Sequence, residues 1–504
     1  MTTPLLKSPA QLAGRLVVSG DPEWDEARRA WNLAVDQRPR AVAYPEAVED
    51  VVAVVELARS EGLRVAVQCT GHNAAPVGSL ERTILLKTER MRQVEVDPVA
   101  GTARCEAGVL WPEVGRAAAA HGLAPLAGTS PDVGVIGYTI GGGVSWLGRK
   151  HGLAANSVLA VELVTADGGF VRADRDNEPD LFWAVRGGGG SFGIVTALEF
   201  ALYPVAALYA GVLFWPIERA GEILVAWREW VETVPDEVSS VGRLLQFPPI
   251  PDLPEPFRGR SFVVVEAALL TDEADGTEIT RPLRELGPEL DTFAVIPPTS
   301  LTALHMDPEH PVPGAGNGGM LSDLTGEAID AVVEAVVGSS LLTFELRHIG
   351  GALAVAAQEN GALASLQGRF LYFGAGIAPA PEAKAAVERH VELVQAALAP
   401  WDAGLTFLNF MERPTEPQRF FPPDVHRRLR EIKGASTRTT CCRQTIRSDS
   451  PGSDTRRARC RVSQRLGLDD ERRAVFGVLA PIARWRGYRA THPQLSRTLL
   501  APRN

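Results

Sequence analysis

Three short segments hold the residues whose types and spacing can do chemistry. The first is Cys69-Thr70-Gly71-His72-Asn73, directly after the strand-like run LRVAVQ at 63–68. Backbone N–H groups in a glycine turn can converge on an anionic group such as a pyrophosphate. An imidazole beside that turn can reach whatever is bound. A solvated or purely structural histidine is the plain alternative for His72.

The second segment is GTSPDVGVIGYTIGGG at 128–143. Small residues at this density let a backbone lie close against a flat or phosphorylated ligand. Val133, Val135, Ile136 and Ile140 are interleaved as apolar anchors, which argues against a merely flexible loop. Candidate contacts in its first half are Gly128, Thr129, Ser130, Val133, Gly134 and Val135. In its second half they are Gly137, Tyr138, Gly141 and Gly142.

The third segment is RGGGGSFG at 186–193, in which Gly188, Gly190 and Gly193 match G-x-G-x-x-G. A dinucleotide fingerprint follows a strand and opens a helix within a βαβ unit. Here the helix-like EPDLFWAVRG precedes the glycines and the strand-like FGIVTALEF follows. A Rossmann domain is disfavoured, while Gly190, Gly193, Ile194 and Val195 stay candidate contacts of another fold.

The elements that must position these segments are legible in part. YPEAVEDVVAVVELARSEG (44–62) predicts an amphipathic helix, acidic early and with Arg59 late. Strands are predicted at TILLK, VEVD and ARCEAG, and a helix at WPEVGRAAAAHG. Residues 128–152 show no sustained helical period. SVLAVELVTADGGFVRA predicts a β-hairpin centred on Asp167-Gly168. From about 206 to 400, strand-like YAGVLFW, SFVVVEAALL, FELRHIG and GRFLYFGAGIA alternate with helix-like AGEILVAWREWVETV, GEAIDAVVEAVVGS and PEAKAAVERHVELVQAAL. Sheets covered by helices predict a second α+β domain.

With 504 residues, 45% hydrophobic and 22% charged, the chain reads as globular with more than one core. No apolar run is long enough for a signal peptide or a membrane helix, so a cytoplasmic protein without membrane contact is expected. Cys69, Cys105, Cys441, Cys442 and Cys460 fit neither a disulfide framework nor a zinc spacing, and no metal site is expected. The net charge of −10 argues against nucleic acid as a partner. That total hides a split: residues 434–504 hold 15 Arg, no Lys and 5 acidic residues.

Taken together and in order, these segments resemble the flavin oxidoreductases of the vanillyl-alcohol-oxidase type, specifically the berberine-bridge-enzyme-like oxidases with a PCMH-type FAD-binding domain. The likeness is carried by Arg29-Ala30-Trp31-Asn32, Arg38-Pro39, residues 46–51, Gly71-His72 and residues 128–143. It continues through Lys150-His151-Gly152-Leu153, Asp180-Leu181-Phe182-Trp183 and residues 187–193. Weaker similarity covers residues 346–351 and Phe407-Leu408-Asn409-Phe410.

The resemblance implies an α+β fold: a two-part FAD-binding domain (1–205 and 401–433) split by an inserted substrate domain of antiparallel sheet and helices (206–400). FAD is the implied cofactor and the segment residues named above its contacts. His72 stands where relatives bond the flavin 8α-methyl group. Many relatives add a cysteine bond where this chain has Ser130, so attachment through His72 alone is expected. A Tyr-x-Asn-Tyr motif is replaced by Phe407, Leu408, Asn409 and Phe410. Asn409 can still contact flavin, but the phenylalanines move no proton. Tyr138, His348 and Tyr372 are the candidate bases.

The implied reaction is hydride transfer from a small alcohol, sugar or amine to flavin N5, with O2 as acceptor giving hydrogen peroxide. Val135 lies in the segment that flanks the oxygen pocket in relatives. A dehydrogenase using another acceptor, an impaired flavin-binding protein and a nicotinamide-dependent dehydrogenase are the rival readings. The oligomeric state is left open. Beyond Lys433 the family pattern stops, and 434–504 is read as a poorly ordered basic tail from a shifted reading frame.

Overall fold

Ala41–Tyr44, Thr83–Lys87 and Arg64–Gln68 run parallel, with Arg15–Val18 added antiparallel at the edge. The crossover is the helix Val48–Ser60, with Glu49 and Asp50 in its first turn and Arg59 in its last, complementing the helix dipole. It buries Val51, Val54, Val55 and Ala58 in a core shared with Val65, Ile84 and Leu86. Residues 69–73 therefore leave the carboxyl end of a parallel strand, the end at which such sheets place ligands. The computed structural model describes residues 6–436 except 252. From residue 437 on, the basic tail read from the sequence lies outside the described residues.

A second, antiparallel sheet is ordered Val94–Asp97, Thr102–Glu106, Ile194–Ala201, Val158–Val164, Phe170–Asp174. Its last two strands form the hairpin about Asp167-Gly168, where Gly168 takes φ +92°. The strand after the 187–193 glycines is central and antiparallel to both neighbours, so those glycines do not open a βαβ unit. Residues 128–152 correct the sequence expectation. They contain the helices Val135–Ile140 and Gly148–His151, of 6 and 4 residues. Helices this short span too few turns for periodicity to show.

The largest sheet has eight antiparallel strands between residues 208 and 377. Its long members run Leu208–Pro216, Ser261–Leu269, Val238–Gln246, Thr343–His348, Phe370–Ile377 and Gly314–Leu321. Helices Ala220–Val231, Gly326–Val336 and Pro381–Ala397 share its core, burying Trp227, Ile329, Val332 and Val387 with Phe344 and Phe370. The sequence reading passed over Val238–Gln246 and Gly314–Leu321. The second, GAGNGGML, reads as a loop, yet its glycines serve close packing: a Cβ on Gly319 would collide with the Tyr372 ring. Helix Pro423–Ser436 lays Arg428 over Trp183 at 4.0 Å and pairs it with Asp180 at 2.9 Å. Among the described residues no helix is long and apolar enough to cross a membrane.

Candidate active site

Between the carboxyl end of Arg64–Gln68, the 128–143 segment and the largest sheet lies a cavity of about 480 Å³. Small-molecule and cofactor sites span about 300–1,000 Å³. One wall carries Trp31, residues 69–73, Gly128, Thr129, Ser130, Val133, Gly134, Gly137, Tyr138 and Gly141. The facing wall carries Arg243, His305, Glu345, Arg347 and Phe373, and residues 407–410 with Glu412 close the space between.

His72 is held on three sides. Its ring stacks on Trp31 with centroids 3.9 Å apart, Nδ1 lies 2.8 Å from Thr70 Oγ1, and Nε2 lies 3.1 Å from Asp132 Oδ1. A carboxylate only accepts, so Nε2 carries a proton, and in the neutral ring Nδ1 accepts from the Thr70 hydroxyl. Asp132 also receives the Trp31 indole N–H and, at 3.0 Å, the Ser130 hydroxyl. Burial opposes its ionisation, but His72, Trp31 and Ser130 outweigh that and hold it below the usual carboxylate range. Gly71 makes the turn at φ +93°, where a Cβ would press on Gln68 and Ala30 at 2.9–3.0 Å.

The glycine segment presents bare backbone to the cavity. A Cβ on Gly137 would meet nothing within 4 Å, so it would project into open cavity space. A Cβ on Gly141 would collide with Asn409 Oδ1, and Asn409 Nδ2 donates to the Tyr138 carbonyl at 2.9 Å. Two buried polar atoms of cavity residues, Asn73 Oδ1 and Tyr138 OH, have no hydrogen-bond partner. Such orphans are costly unless a ligand or water completes them.

Not every residue singled out from the sequence reaches this cavity. Val135 is fully buried behind it, and Gly142 packs against Leu363 and Phe407. Gly193 packs on Leu163, while Ile194 and Val195 begin the central strand; of the third segment Gly189 reaches the cavity and Gly190 does not. The structure also turns two candidate bases away. Side chains alternate along a strand, and Phe344, Leu346 and Tyr372 belong to the helix-covered core. His348 has the same parity, lies 3.1 Å from Arg149 through Nε2, and burial followed by Arg149 lowers it to about 3. Burial pushes Tyr372 up to about 12. Tyr138 lines the cavity, but burial raises its phenol well above its ordinary value.

The opposite parity brings in residues the sequence reading missed. Arg243 reaches Glu266 at 3.1 Å, and Glu266 contacts His305 Nδ1. His305 Nε2 lies 2.5 Å from Glu345, which takes Arg347 Nε at 2.9 Å. Arg347 reaches on to Thr129 Oγ1 at 3.3 Å, tying the sheet to the glycine segment. Burial and Arg243 oppose a proton on His305, but Glu266, Asp307 and Glu345 outweigh them and raise it to about 9. Burial likewise opposes ionisation of Glu345, yet Arg347 and His305 hold it far below the carboxylate range. Glu412 is the contrasting carboxyl. Burial raises it to about 7, against the Gly316 N–H and the more distant Lys384 and Arg413. The available signal was a charged residue inside an apolar strand, as in FVVVEAAL and TFELRH, which must find a partner.

A turn-held imidazole and a run of glycines line this cavity, and residues 39–174, which include both the turn and the glycine run, match the FAD binding domain family. That segment is similar to an FAD binding domain, and the fold as a whole is like that of the solved structures below. The (R)-6-hydroxynicotine oxidase of Paenarthrobacter nicotinovorans is 34% identical over 211 residues, 42% of this chain and 46% of that protein. Glucooligosaccharide oxidase of Sarocladium strictum is 32% identical over 228 residues, 43% of this chain and 44% of that protein. The chain thus spans about half the length of the curated relatives it matches. Among solved structures, BBE-like 1 of Physcomitrella patens superposes with a TM-score of 0.78 at 20% identity, covering 89% of this chain and 100% of that one. The 6-hydroxy-D-nicotine oxidase of Arthrobacter nicotinovorans gives 0.76 at 24%, covering 86% and 97%.

Proposed function

We propose that this protein is an FAD-dependent oxidase of small organic molecules, with the flavin bonded covalently through His72 and through no second residue. The observation that carries the reading is the His72 environment. Asp132 keeps the proton on Nε2, so Nδ1 is the unprotonated nitrogen, its lone pair held by the Thr70 hydroxyl at 2.8 Å and released for bonding when that hydroxyl turns away. Gly137 would admit a flat ring against bare backbone, and Asn73 Oδ1 and the Tyr138 hydroxyl await polar partners. Ser130 supplies no thiolate, and Cys69, pushed up to about 11 by burial, is a poor substitute.

FAD, when bound, supplies a two-electron hydride acceptor that O2 can reoxidise to give hydrogen peroxide. The chain's own residues orient the substrate: Arg347 and Glu345 fix the polar end of the sheet wall, while Phe373 and Phe410 flank it. Cys69 and Cys105 as free thiols suit a reducing, cytoplasmic setting.

Acid precipitation of the purified protein tests the reading. Yellow colour retained in the pellet, and lost from it in His72→Ala, is the expected result. Colour wholly in the supernatant overturns the covalent bond but not FAD binding; a colourless protein after reconstitution with FAD overturns both.

A further inference from the structure

We infer that Glu412 is the catalytic base of this site, taking the proton from the O–H or N–H of a substrate whose body is largely apolar. The inference rests on the FAD-dependent reading above. Oxidising an alcohol or amine breaks the heteroatom–hydrogen bond and a C–H bond. The proton passes to a Glu412 oxygen, and the electron pair it leaves closes a C=O or C=N as the carbon's hydride leaves to the flavin acceptor.

The cavity offers few groups able to hold that proton. Phe407 and Phe410 have none to exchange, and His348 and Tyr372 face the other side of the sheet. Glu345 is ion-paired with both His305 and Arg347, and Arg243 with Glu266, so these carboxylates and the protonated His305 are already committed to one another. Glu412 stands apart. Its backbone N–H donates to Asn317 Oδ1 at 3.1 Å, anchoring it on the strand Gly314–Leu321, and its carboxyl receives the Gly316 N–H.

The cations nearest to Glu412 are all engaged elsewhere. Lys384 pairs with Glu388, Arg413 with Glu392 at 2.8 Å, and Arg347, over the Phe410 ring at 5.0 Å, with Glu345. A desolvated carboxyl without an ion pair, raised to about 7, is half ionised at neutral pH, where a general base works best. It follows Phe410 by two residues on the segment that carries Asn409.

The walls near Glu412 limit what binds. Phe373 and Phe410 lie 5.4 Å apart, with Leu245, Phe247 and Ile377 further along the same wall. A sugar hydroxylated on every side would leave buried polar groups unpaired there. An aromatic or aliphatic body bearing one alcohol or amine would not.

Full-length Glu412→Gln and Glu412→Asp, purified with their flavin, test this in two ways. The first is the infrared difference between wild type and Glu412→Gln across pH, which reads the carboxyl without a substrate. Titration centred near 7 is expected; titration at the ordinary 4.5 overturns the assignment. The second is anaerobic bleaching of the flavin by (R)-6-hydroxynicotine, benzyl alcohol and cellobiose. Wild type should bleach with an apolar-bodied compound and not with cellobiose, at a rate that rises through neutral pH. Glu412→Gln should be slower by about 10²- to 10⁴-fold, without that pH limb and with unchanged flavin content, and Glu412→Asp should recover part of the rate. Equal rates in Glu412→Gln refute the base alone. Bleaching by cellobiose alone refutes the apolar substrate. A wild type that stays yellow with every compound refutes the oxidoreductase reading, and the infrared titration still judges Glu412.

Discussion

The imidazole of His72 lies against the indole of Trp31, centroids 3.9 Å apart and planes 19° from parallel, and both rings point an N–H at the Asp132 carboxylate. One carboxylate thus fixes the tilt of two rings and the tautomer of one. Replacing Asp132 by Asn removes the charge and lets the amide donate as well as accept, so either imidazole nitrogen can carry the proton. The fraction of flavin retained in acid-precipitated Asp132→Asn should fall below wild type while total FAD binding persists. An unchanged retained fraction would show that the carboxylate does not prepare the ring.

Ser130 gives a second test of the same corner. Its hydroxyl donates to Asp132 at 3.0 Å, so a thiol there would sit beside a negative charge that disfavours the thiolate. Ser130→Cys in a His72→Ala background should restore acid-stable flavin only weakly, and more fully once Asp132→Asn is added. Mass spectrometry of the 130-containing peptide reads the outcome, and absence of a flavin adduct in the triple variant refutes it.

Gly137 separates the cradle from the fold. Since a Cβ there meets nothing within 4 Å, a larger side chain enters the cavity rather than the core. Gly137→Leu should purify with less flavin, seen in its visible absorbance relative to protein, while far-ultraviolet circular dichroism is unchanged. Full flavin content would place the cofactor elsewhere.

How far the sequence spoke depends on how local each feature is. Gly71-His72 and the 128–143 glycines were legible because a turn and a bare backbone are written in consecutive residues. The Arg243–Glu266–His305–Glu345–Arg347 chain was not, because three paired strands and His305, at the end of the helix Leu301–Leu304, assemble it from four separate segments. Parity explains the misplaced bases. His348 is adjacent to Arg347, yet one step along a strand moves a side chain to the opposite face. The FLNF motif drew attention to Phe407 and Phe410 and away from Glu412, whose chemistry comes from desolvation and not from a pattern.

That buried chain also sets a pH window for stability. His305 is raised from 6.5 to about 9, so its contribution is complete below 6.5 and lost as pH climbs through 9. Glu266 and Glu345 are depressed from 4.5, so theirs is present above that value and lost in acid. Between these limits the network holds both signs of charge, and its contribution to melting temperature should be flat from about pH 5 to 6.5 and fall as pH rises from 6.5 toward 9. Glu345→Gln leaves His305 and Arg347 short of a counter-charge in a buried site, which costs about 3–5 kcal/mol. Denaturant unfolding at pH 7 should show that loss, and the variant's alkaline fall should be smaller and level off at lower pH, because His305 has lost one of the carboxylates that hold its proton. A variant as stable as wild type, with the same alkaline limb, would mean that the sheet wall tolerates those charges by solvation and not by pairing.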